Sequence, residues 1–229
     1  MPDCQMSCNN ITEMRRAEEK AIKKIGNHPL HSNNNSVCAQ KSAEEKVLVF
    51  VYGTLKRGFG NHWLVEEMIA GGHVEFVGIG RSEERYPLVC GPYQVPFLLY
   101  LDGFGEHVFG EVYAIDAFAL QRFDELEGTT KGHYVRRSIR LRLLKIGEEE
   151  NVLESQAYFA ANSYTPQMWM KTRHNCLCTY SVEETKNYVR RKDRPPHLSF
   201  LEHINIFLSQ QSTHPSPPPA PPEITAGHC

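Results

Sequence analysis

The alternation of apolar and polar residues predicts a largely β-structured central region. Residues 47–52 form a continuous apolar run rich in β-branched side chains, which is typical of a strand buried on both faces. In residues 135–143 apolar side chains alternate with arginines, which predicts a half-exposed antiparallel strand. Residues 108–115 form another strand, in which Gly110 indicates a bulge or a close backbone approach. Further extended segments are predicted at 74–80, 86–90, 95–101 and 155–161.

Helix signals lie between and after the strands. Residues 61–70 are predicted to be helical and end at two glycines. Two capping boxes of the form Ser-x-x-Glu, at 181–184 and 199–202, predict a helix that runs to about residue 191 and a second, amphipathic helix. We therefore expect an α+β fold, built as a small, mostly antiparallel β-barrel with packed helices.

Another short helix is predicted over residues 116–128. Asp116 is a favourable N-cap residue, and Gly128 suits the left-handed position that follows a helix. Within the helix Leu120, Phe123 and Leu126 make an apolar stripe that should face the core.

Glu127 is a carboxylate at a position where this helical pattern calls for a hydrophobic residue. At about 100° per residue it falls on the stripe, four residues after Phe123, whereas Glu125 points nearly the opposite way. Burial disfavours the charged form, so its pKa should rise into the range useful for a general base. Periodicity alone also allows a helix-end glutamate that reaches water or pairs with an arginine.

The turn directly after the first strand, Tyr-Gly-Thr-Leu-Lys-Arg-Gly at 52–58, is a second feature that packing does not explain. A buried strand that ends in small residues leaves successive backbone N–H groups directed into a cavity, where they can bind a carboxylate or phosphate. The spacing is not that of a P-loop, which argues against phosphate transfer. A plain glycine turn is the alternative.

Composition narrows the class of protein. The 229 residues carry a formal net charge of −2, so bulk charge favours neither nucleic acid nor membrane as a partner. No apolar run is long enough to span a bilayer, and the N-terminus lacks a secretory h-region. The seven cysteines form no zinc or disulfide pattern, so we expect reduced thiols and a cytoplasmic location. Residues 1–45 are polar and 209–229 are Pro-rich, so both should be disordered around a domain at 46–208.

Several motifs occur together in one order. Residues 49–58, Val-Phe-Val-Tyr-Gly-Thr-Leu-Lys-Arg-Gly, resemble the signature of the γ-glutamylcyclotransferase superfamily. Gly-Glu-Val-Tyr at 110–113 and Asp-Glu-Leu-Glu at 124–127 follow, and the segments at 188–195 and 197–203 resemble plant members in particular. The resemblance covers roughly residues 47–208 and is greatest to the γ-glutamylamine cyclotransferase branch.

This resemblance implies a small α+β barrel and a small-molecule γ-glutamyl substrate. It implies that Tyr52, Gly53, Thr54 and Leu55 bind the glutamyl group and that Glu127 is the proton acceptor. The implied reaction is attack of the substrate α-amine on its own γ-carbonyl, which forms 5-oxoproline and releases an amine without a metal or cofactor. A non-catalytic interaction protein of the same fold, or an acyltransferase on another γ-glutamyl substrate, is the alternative.

Two features of the sequence bear on which amine the substrate releases. Dipeptide-cleaving relatives usually carry asparagine where this chain has Leu55, and the core segments show no paired basic residues suited to a second carboxylate, unless the fold brings Arg81 and Arg85 there. We therefore expect γ-glutamyl-ε-lysine or a simple γ-glutamyl alkylamine to be preferred over γ-glutamylalanine by about tenfold or more in kcat/KM. A basic cluster near the C-terminus is interpreted as a solvated helix face, with an anionic partner as the alternative; it comprises Lys186, Arg190, Arg191, Lys192 and Arg194.

Overall fold

The computed structural model describes residues 45–144 and 152–210. The predicted extension at 1–45 and the predicted tail at 209–229 lie outside the described residues, apart from Glu45, Ser209 and Gln210. Among the helices of the described ranges, none is long and apolar enough to cross a membrane.

Five strands close into a barrel in the order β1-β5-β2-β6-β7. Neighbouring strands of the barrel are antiparallel except β1 and β7, which are parallel, and β3 and β4 form a separate two-stranded sheet. The predicted small, mostly antiparallel barrel is thus confirmed. The strands are β1 Val47–Val51, β2 Val74–Ser82, β3 Leu88–Cys90, β4 Pro96–Leu98, β5 Phe109–Ile115, β6 Tyr134–Leu143 and β7 Val152–Ala160.

Strand β1 is buried on both faces, as its apolar run predicts. Val49 and Val51 pack in one hydrophobic cluster, and Phe50 between them packs in a second cluster. Gly110 of β5 lies against this strand, where a Cβ atom would meet the Val51 carbonyl oxygen at 2.4 Å. The close backbone approach predicted at Gly110 is therefore confirmed, and it holds the end of β1 in place.

The helices of the described residues pack around the barrel. Both predicted capping boxes are formed, at Ser181 and at Ser199. The helix bounds are α1 His62–Ala70, α2 Ala117–Glu127, α3 Thr165–Thr172, α4 Val182–Thr185 and α5 Phe200–Ser209, and short 3₁₀ turns cover Pro92–Gln94, Thr129–Lys131 and Arg191–Asp193.

The helix predicted to run from 181 to about 191 is wrong in length, because α4 ends at Thr185. Beyond it the backbone N–H of Val189 donates to the Tyr93 carbonyl at 3.2 Å, so a contact distant in sequence replaces continued helical pairing. The chain after α4 therefore runs alongside Tyr93 instead of continuing as a helix. We refer to residues 181–210 as the C-terminal segment.

Candidate active site

A cavity of about 100 Å³ lies where the end of β1, the end of α2 and the C-terminal segment meet. We call it the reaction cavity. All five residues singled out from the sequence line it, namely Tyr52, Gly53, Thr54, Leu55 and Glu127. The fold therefore unites the two sequence features that packing did not explain.

In the turn after β1, the carbonyl groups of Gly53, Thr54 and Leu55 accept hydrogen bonds, whereas the amides of the same three residues donate none in the described part of the chain. Asn61 donates to both the hydroxyl and the carbonyl of Thr54, at 2.9 and 3.0 Å. His62 Nδ1 lies 2.8 Å from the Leu55 carbonyl, so this buried histidine caps the loop. Within the described residues, the backbone N–H groups of Gly53, Thr54 and Leu55 have no acceptor. Because buried amides normally have partners, these three are suited to bind a ligand anion.

Lys56 anchors the same turn from the side away from the cavity. Its buried ammonium group donates to the Tyr180 carbonyl at 2.7 Å and lies 3.2 Å from the Thr179 hydroxyl. Burial lowers the pKa of Lys56 to about 8. Since Lys56 does not line the reaction cavity, these contacts fix the loop rather than reach a substrate.

Glu127 is the carboxylate of α2 that faces the cavity. Glu125 is exposed and pairs with an arginine of the same helix. Asp124 accepts a hydrogen bond from the Tyr158 hydroxyl at 2.8 Å and forms a salt bridge with Arg136 at 3.3 Å. In the part of the chain that the structure describes, Glu127 forms neither a hydrogen bond nor a salt bridge. The facing inferred from helical periodicity is confirmed, and the carboxylate is left available for chemistry.

The pKa of Glu127 is raised to about 7, mainly because burial removes water from the carboxyl group. Arg191 acts in the opposite direction and lowers this pKa. The residue as a whole keeps some exposed surface because it borders an open cavity, while protein surrounds the carboxyl group itself. Glu127 is thus half ionised near neutral pH, as a general base requires.

The tyrosine hydroxyl groups around Glu127 donate their hydrogen bonds to other acceptors and not to the Glu127 carboxyl. Burial raises the pKa of each of them, and the nearby Glu127 raises it further. Their acceptors are the Tyr158 carbonyl for Tyr52, the Pro96 carbonyl for Tyr134, Asp124 for Tyr158 and the His133 carbonyl for Tyr164. The tyrosines therefore give the cavity a polar wall in fixed positions, while the Glu127 carboxyl remains without a hydrogen-bond partner among the described residues.

Gly128 fixes the position of Glu127 at the end of α2. Asp116 caps the start of this helix by accepting from the Ala119 amide at 2.9 Å, as predicted. Gly128 ends it in the left-handed conformation, with φ of 65°, and a Cβ atom there would lie 2.3 Å from His133 Nδ1. Only glycine suits both this backbone conformation and the close approach of His133. Burial lowers the pKa of His133.

The C-terminal segment supplies cavity residues that the sequence interpretation missed. The sequence predicted a solvated helix face for Arg194, and this prediction is wrong because Arg194 is half-buried. Its guanidinium carbon lies 5.2 Å from the ring centre of Tyr93 and 5.6 Å from the ring centre of Phe200. The sequence shows that Arg194 belongs to a basic cluster, but it does not show contacts with aromatic rings that are distant along the chain. Neither Arg81 nor Arg85 lines the cavity; Tyr188, Arg191, Arg194 and Phe200 do.

The described residues offer no obvious metal centre. No group of three or more histidine, cysteine, aspartate or glutamate side chains is placed to hold a metal ion in this part of the chain. The chemistry available in the cavity is that of one unpaired carboxyl, the loop amides and the basic residues at the mouth.

Comparison with known proteins agrees with this geometry. The model of the family described as gamma-glutamyl cyclotransferase, AIG2-like, matches residues 49–176. An Arabidopsis thaliana protein named "Putative gamma-glutamylcyclotransferase" is 48% identical over 171 residues, which is 71% of this chain and 91% of that protein. The human gamma-glutamylaminecyclotransferase is 39% identical over 134 residues, covering 56% of this chain and 86% of its own length. The crystal structure of a Mus musculus AIG2-like protein superposes with a TM-score of 0.55 at 31% identity, over 66% of this chain and 99% of that one.

Proposed function

Because the chain belongs to the AIG2-like gamma-glutamyl cyclotransferase family, we propose that it cyclises the γ-glutamyl group of a small substrate to 5-oxoproline and releases an amine. One observation carries the proposal. The unpaired carboxyl of Glu127 and the unpaired amides of Gly53, Thr54 and Leu55 line the same cavity. A base and a set of anion-binding donors are what this reaction needs from the protein.

The loop after β1 holds the glutamyl end of the substrate. Its free N–H groups bind the α-carboxylate, and Tyr52 forms part of the wall beside it. Fixing this end bends the flexible chain so that the α-amine approaches its own γ-carbonyl. The intramolecular attack then gains much of its rate from proximity.

Glu127 moves the proton that makes the attack possible. The α-amine arrives as an ammonium group, and the ionised carboxylate accepts one of its protons. The freed amine forms a bond to the γ-carbon, and the new ring nitrogen loses a second proton to solvent. Glu127 then returns its proton to the departing nitrogen as the carbon–nitrogen bond breaks, and the released amine takes up one more from solvent. A pKa of about 7 suits both directions of transfer.

The loop amides have a second role during the attack. Negative charge develops on the γ-carbonyl oxygen as the tetrahedral intermediate forms. An amide not engaged by the α-carboxylate stabilises this charge, because it is already oriented and partly shielded from water.

A substrate panel tests the proposed function. Purified protein is incubated with γ-glutamyl amines and γ-glutamyl dipeptides, and 5-oxoproline is quantified against Glu127→Gln as the matched inactive control. The proposal expects enzyme-dependent 5-oxoproline from at least one class. If no member of the panel yields 5-oxoproline, the non-catalytic alternative gains support instead.

We also propose a cytoplasmic location for this activity. Cys90 and Cys176 are free thiols among the described residues, which supports a reducing compartment. Imaging of the tagged full-length chain tests this, and accumulation in a secretory compartment would contradict it.

A further inference from the structure

The mouth of the reaction cavity is basic, and it is built from a part of the chain that the family model does not cover. The family match ends at residue 176, whereas Arg191 and Arg194 belong to the C-terminal segment. Building on the proposed function, we propose that Arg191 and Arg194 bind a carboxylate on the leaving part of the substrate. The enzyme then selects γ-glutamyl amino acids or short γ-glutamyl peptides over uncharged γ-glutamyl amines.

Arg194 is held in place as a preorganised cation. Its Nε donates to the Val189 carbonyl at 3.0 Å, and the rings of Tyr93, Tyr188 and Phe200 surround its guanidinium group. These contacts restrict the side chain before any ligand binds, so little conformational entropy is lost on binding.

Arg191 lies close enough to Glu127 to lower its pKa, but neither arginine of the mouth is paired with a carboxylate at salt-bridge distance in the described part of the chain. Arg194 is half-buried, and its pKa is lowered because burial removes water from the charged form. A half-buried cation without a counter-ion is costly, so an incoming anion is favoured.

A second, larger cavity continues from this mouth. We call it the basic chamber. It has a volume of about 380 Å³ and shares His133, Arg191, Arg194 and Phe200 with the reaction cavity. Lys131 and Lys192 add two more positive charges to its wall, and no aspartate or glutamate lines it. The space next to Glu127 therefore suits a leaving group that is negatively charged and larger than a simple alkylamine.

The two anion sites divide the substrate between them. The amides of residues 53–55 serve the α-carboxylate of the glutamyl group, so the charge that Arg191 and Arg194 bind must belong to the other side of the scissile bond. A γ-glutamyl amino acid carries a carboxylate next to its leaving nitrogen, and a γ-glutamyl alkylamine has none.

This assignment differs from the sequence-based expectation that a simple γ-glutamyl alkylamine is preferred over γ-glutamylalanine. That expectation considered only the core segments, in which Arg81 and Arg85 were the nearest candidates. The structure adds two arginines from beyond the core, because the chain leaves α4 early and crosses the cavity. A neutral, open amine end is therefore no longer expected.

Two matched substrates test the proposal with the full-length protein. γ-Glutamylalanine and γ-glutamylalaninamide have nearly the same shape and differ in the charge of the leaving part. The measured quantity is the ratio of their kcat/KM values, since effects on Glu127 or on glutamyl binding change both values and cancel. We expect the wild type to favour the acid by about tenfold or more.

Three single variants and one double variant complete the design. Arg191→Gln and Arg194→Gln should each lower the ratio by roughly fivefold, mainly through KM for the acid, and the double variant should bring it near one. Arg190→Gln is the control, because Arg190 is exposed and lines neither cavity. Since Arg194 also packs against aromatic rings, Arg191→Gln keeps the test valid if the other variant folds poorly.

The possible failures are distinguishable. Turnover of both substrates with a wild-type ratio near one overturns this inference alone. Equal loss on both substrates in the arginine variants also overturns it, because the arginines then serve the glutamyl end. Absence of 5-oxoproline from both substrates, with turnover of other members of the γ-glutamyl panel, overturns the assignment of the mouth alone. Absence of 5-oxoproline from the whole panel overturns the proposed function as well.

Discussion

Replacing Glu127 with glutamine should stabilise the protein at alkaline pH although it removes the proposed base. Burial raises the pKa of Glu127 from 4.5 to about 7. Between these pH values the folded protein holds a proton that the unfolded chain has lost, so the free energy of unfolding decreases as the pH rises. Glutamine has nearly the same volume and no charge, and it therefore abolishes this decrease.

The magnitude follows from the width of that pH interval. Each pH unit within it lowers the free energy of unfolding by about 1.4 kcal/mol, which gives an upper limit of roughly 3 kcal/mol. Solvent at the cavity mouth screens the carboxylate, so we expect about 1–3 kcal/mol. For a domain of this size that corresponds to a gain in Tm of roughly 2–10 °C for Glu127→Gln relative to wild type on moving from about pH 5 to about pH 8.

Urea unfolding of wild type, Glu127→Gln and Glu125→Gln at several pH values provides the assay. The informative quantity is how the difference from wild type changes with pH, because all other ionisable groups cancel. Glu125 is exposed, so its variant should follow the wild type. A pH dependence for Glu127→Gln equal to that of the wild type would refute the desolvation argument.

Further outcomes follow from the same structure. For the wild type, kcat/KM should rise roughly tenfold from about pH 6 to pH 8 as Glu127 ionises, and a flat pH profile contradicts this. Because Arg191 lowers the pKa of Glu127, Arg191→Gln should move the midpoint of the pH profile to higher pH, and a shift to lower pH contradicts this. Gly128→Ala should cost roughly 1–3 kcal/mol in urea unfolding, since φ is 65° and the new Cβ would meet His133; an unchanged stability argues against that strain. A chain of residues 46–209 should keep its Tm within about 5 °C of full length in a thermal scan, and a larger loss shows that a terminal extension contributes to packing.

Local sequence signals predicted the elements that position the base. The N-cap Asp116 and the left-handed Gly128 bound α2 as expected, and helical periodicity placed Glu127 towards the cavity. The apolar run at β1 likewise predicted a strand buried on both faces. These signals succeed because capping and periodicity depend on residues within one or two helical turns or along one strand.

Sequence periodicity could not reveal the mouth of the cavity. The capping box at Ser181 predicted where α4 begins, but not that pairing of Val189 with Tyr93 replaces the helix after Thr185. The burial of Arg194 likewise depends on aromatic rings distant in sequence. Such contacts arise from the tertiary fold, so a run of basic residues alone looks the same whether it faces solvent or a cavity.

The turnover of Glu127→Gln is the most direct test of the proposed chemistry. 5-Oxoproline formation is measured for wild type, Glu127→Gln and Glu125→Gln on whichever γ-glutamyl substrate the wild type uses best. Loss of the base should lower kcat by roughly 10²–10⁴-fold, while Glu125→Gln retains nearly full activity. Full activity of Glu127→Gln, or loss of activity only in Glu125→Gln, would contradict the assignment of Glu127 as the general base.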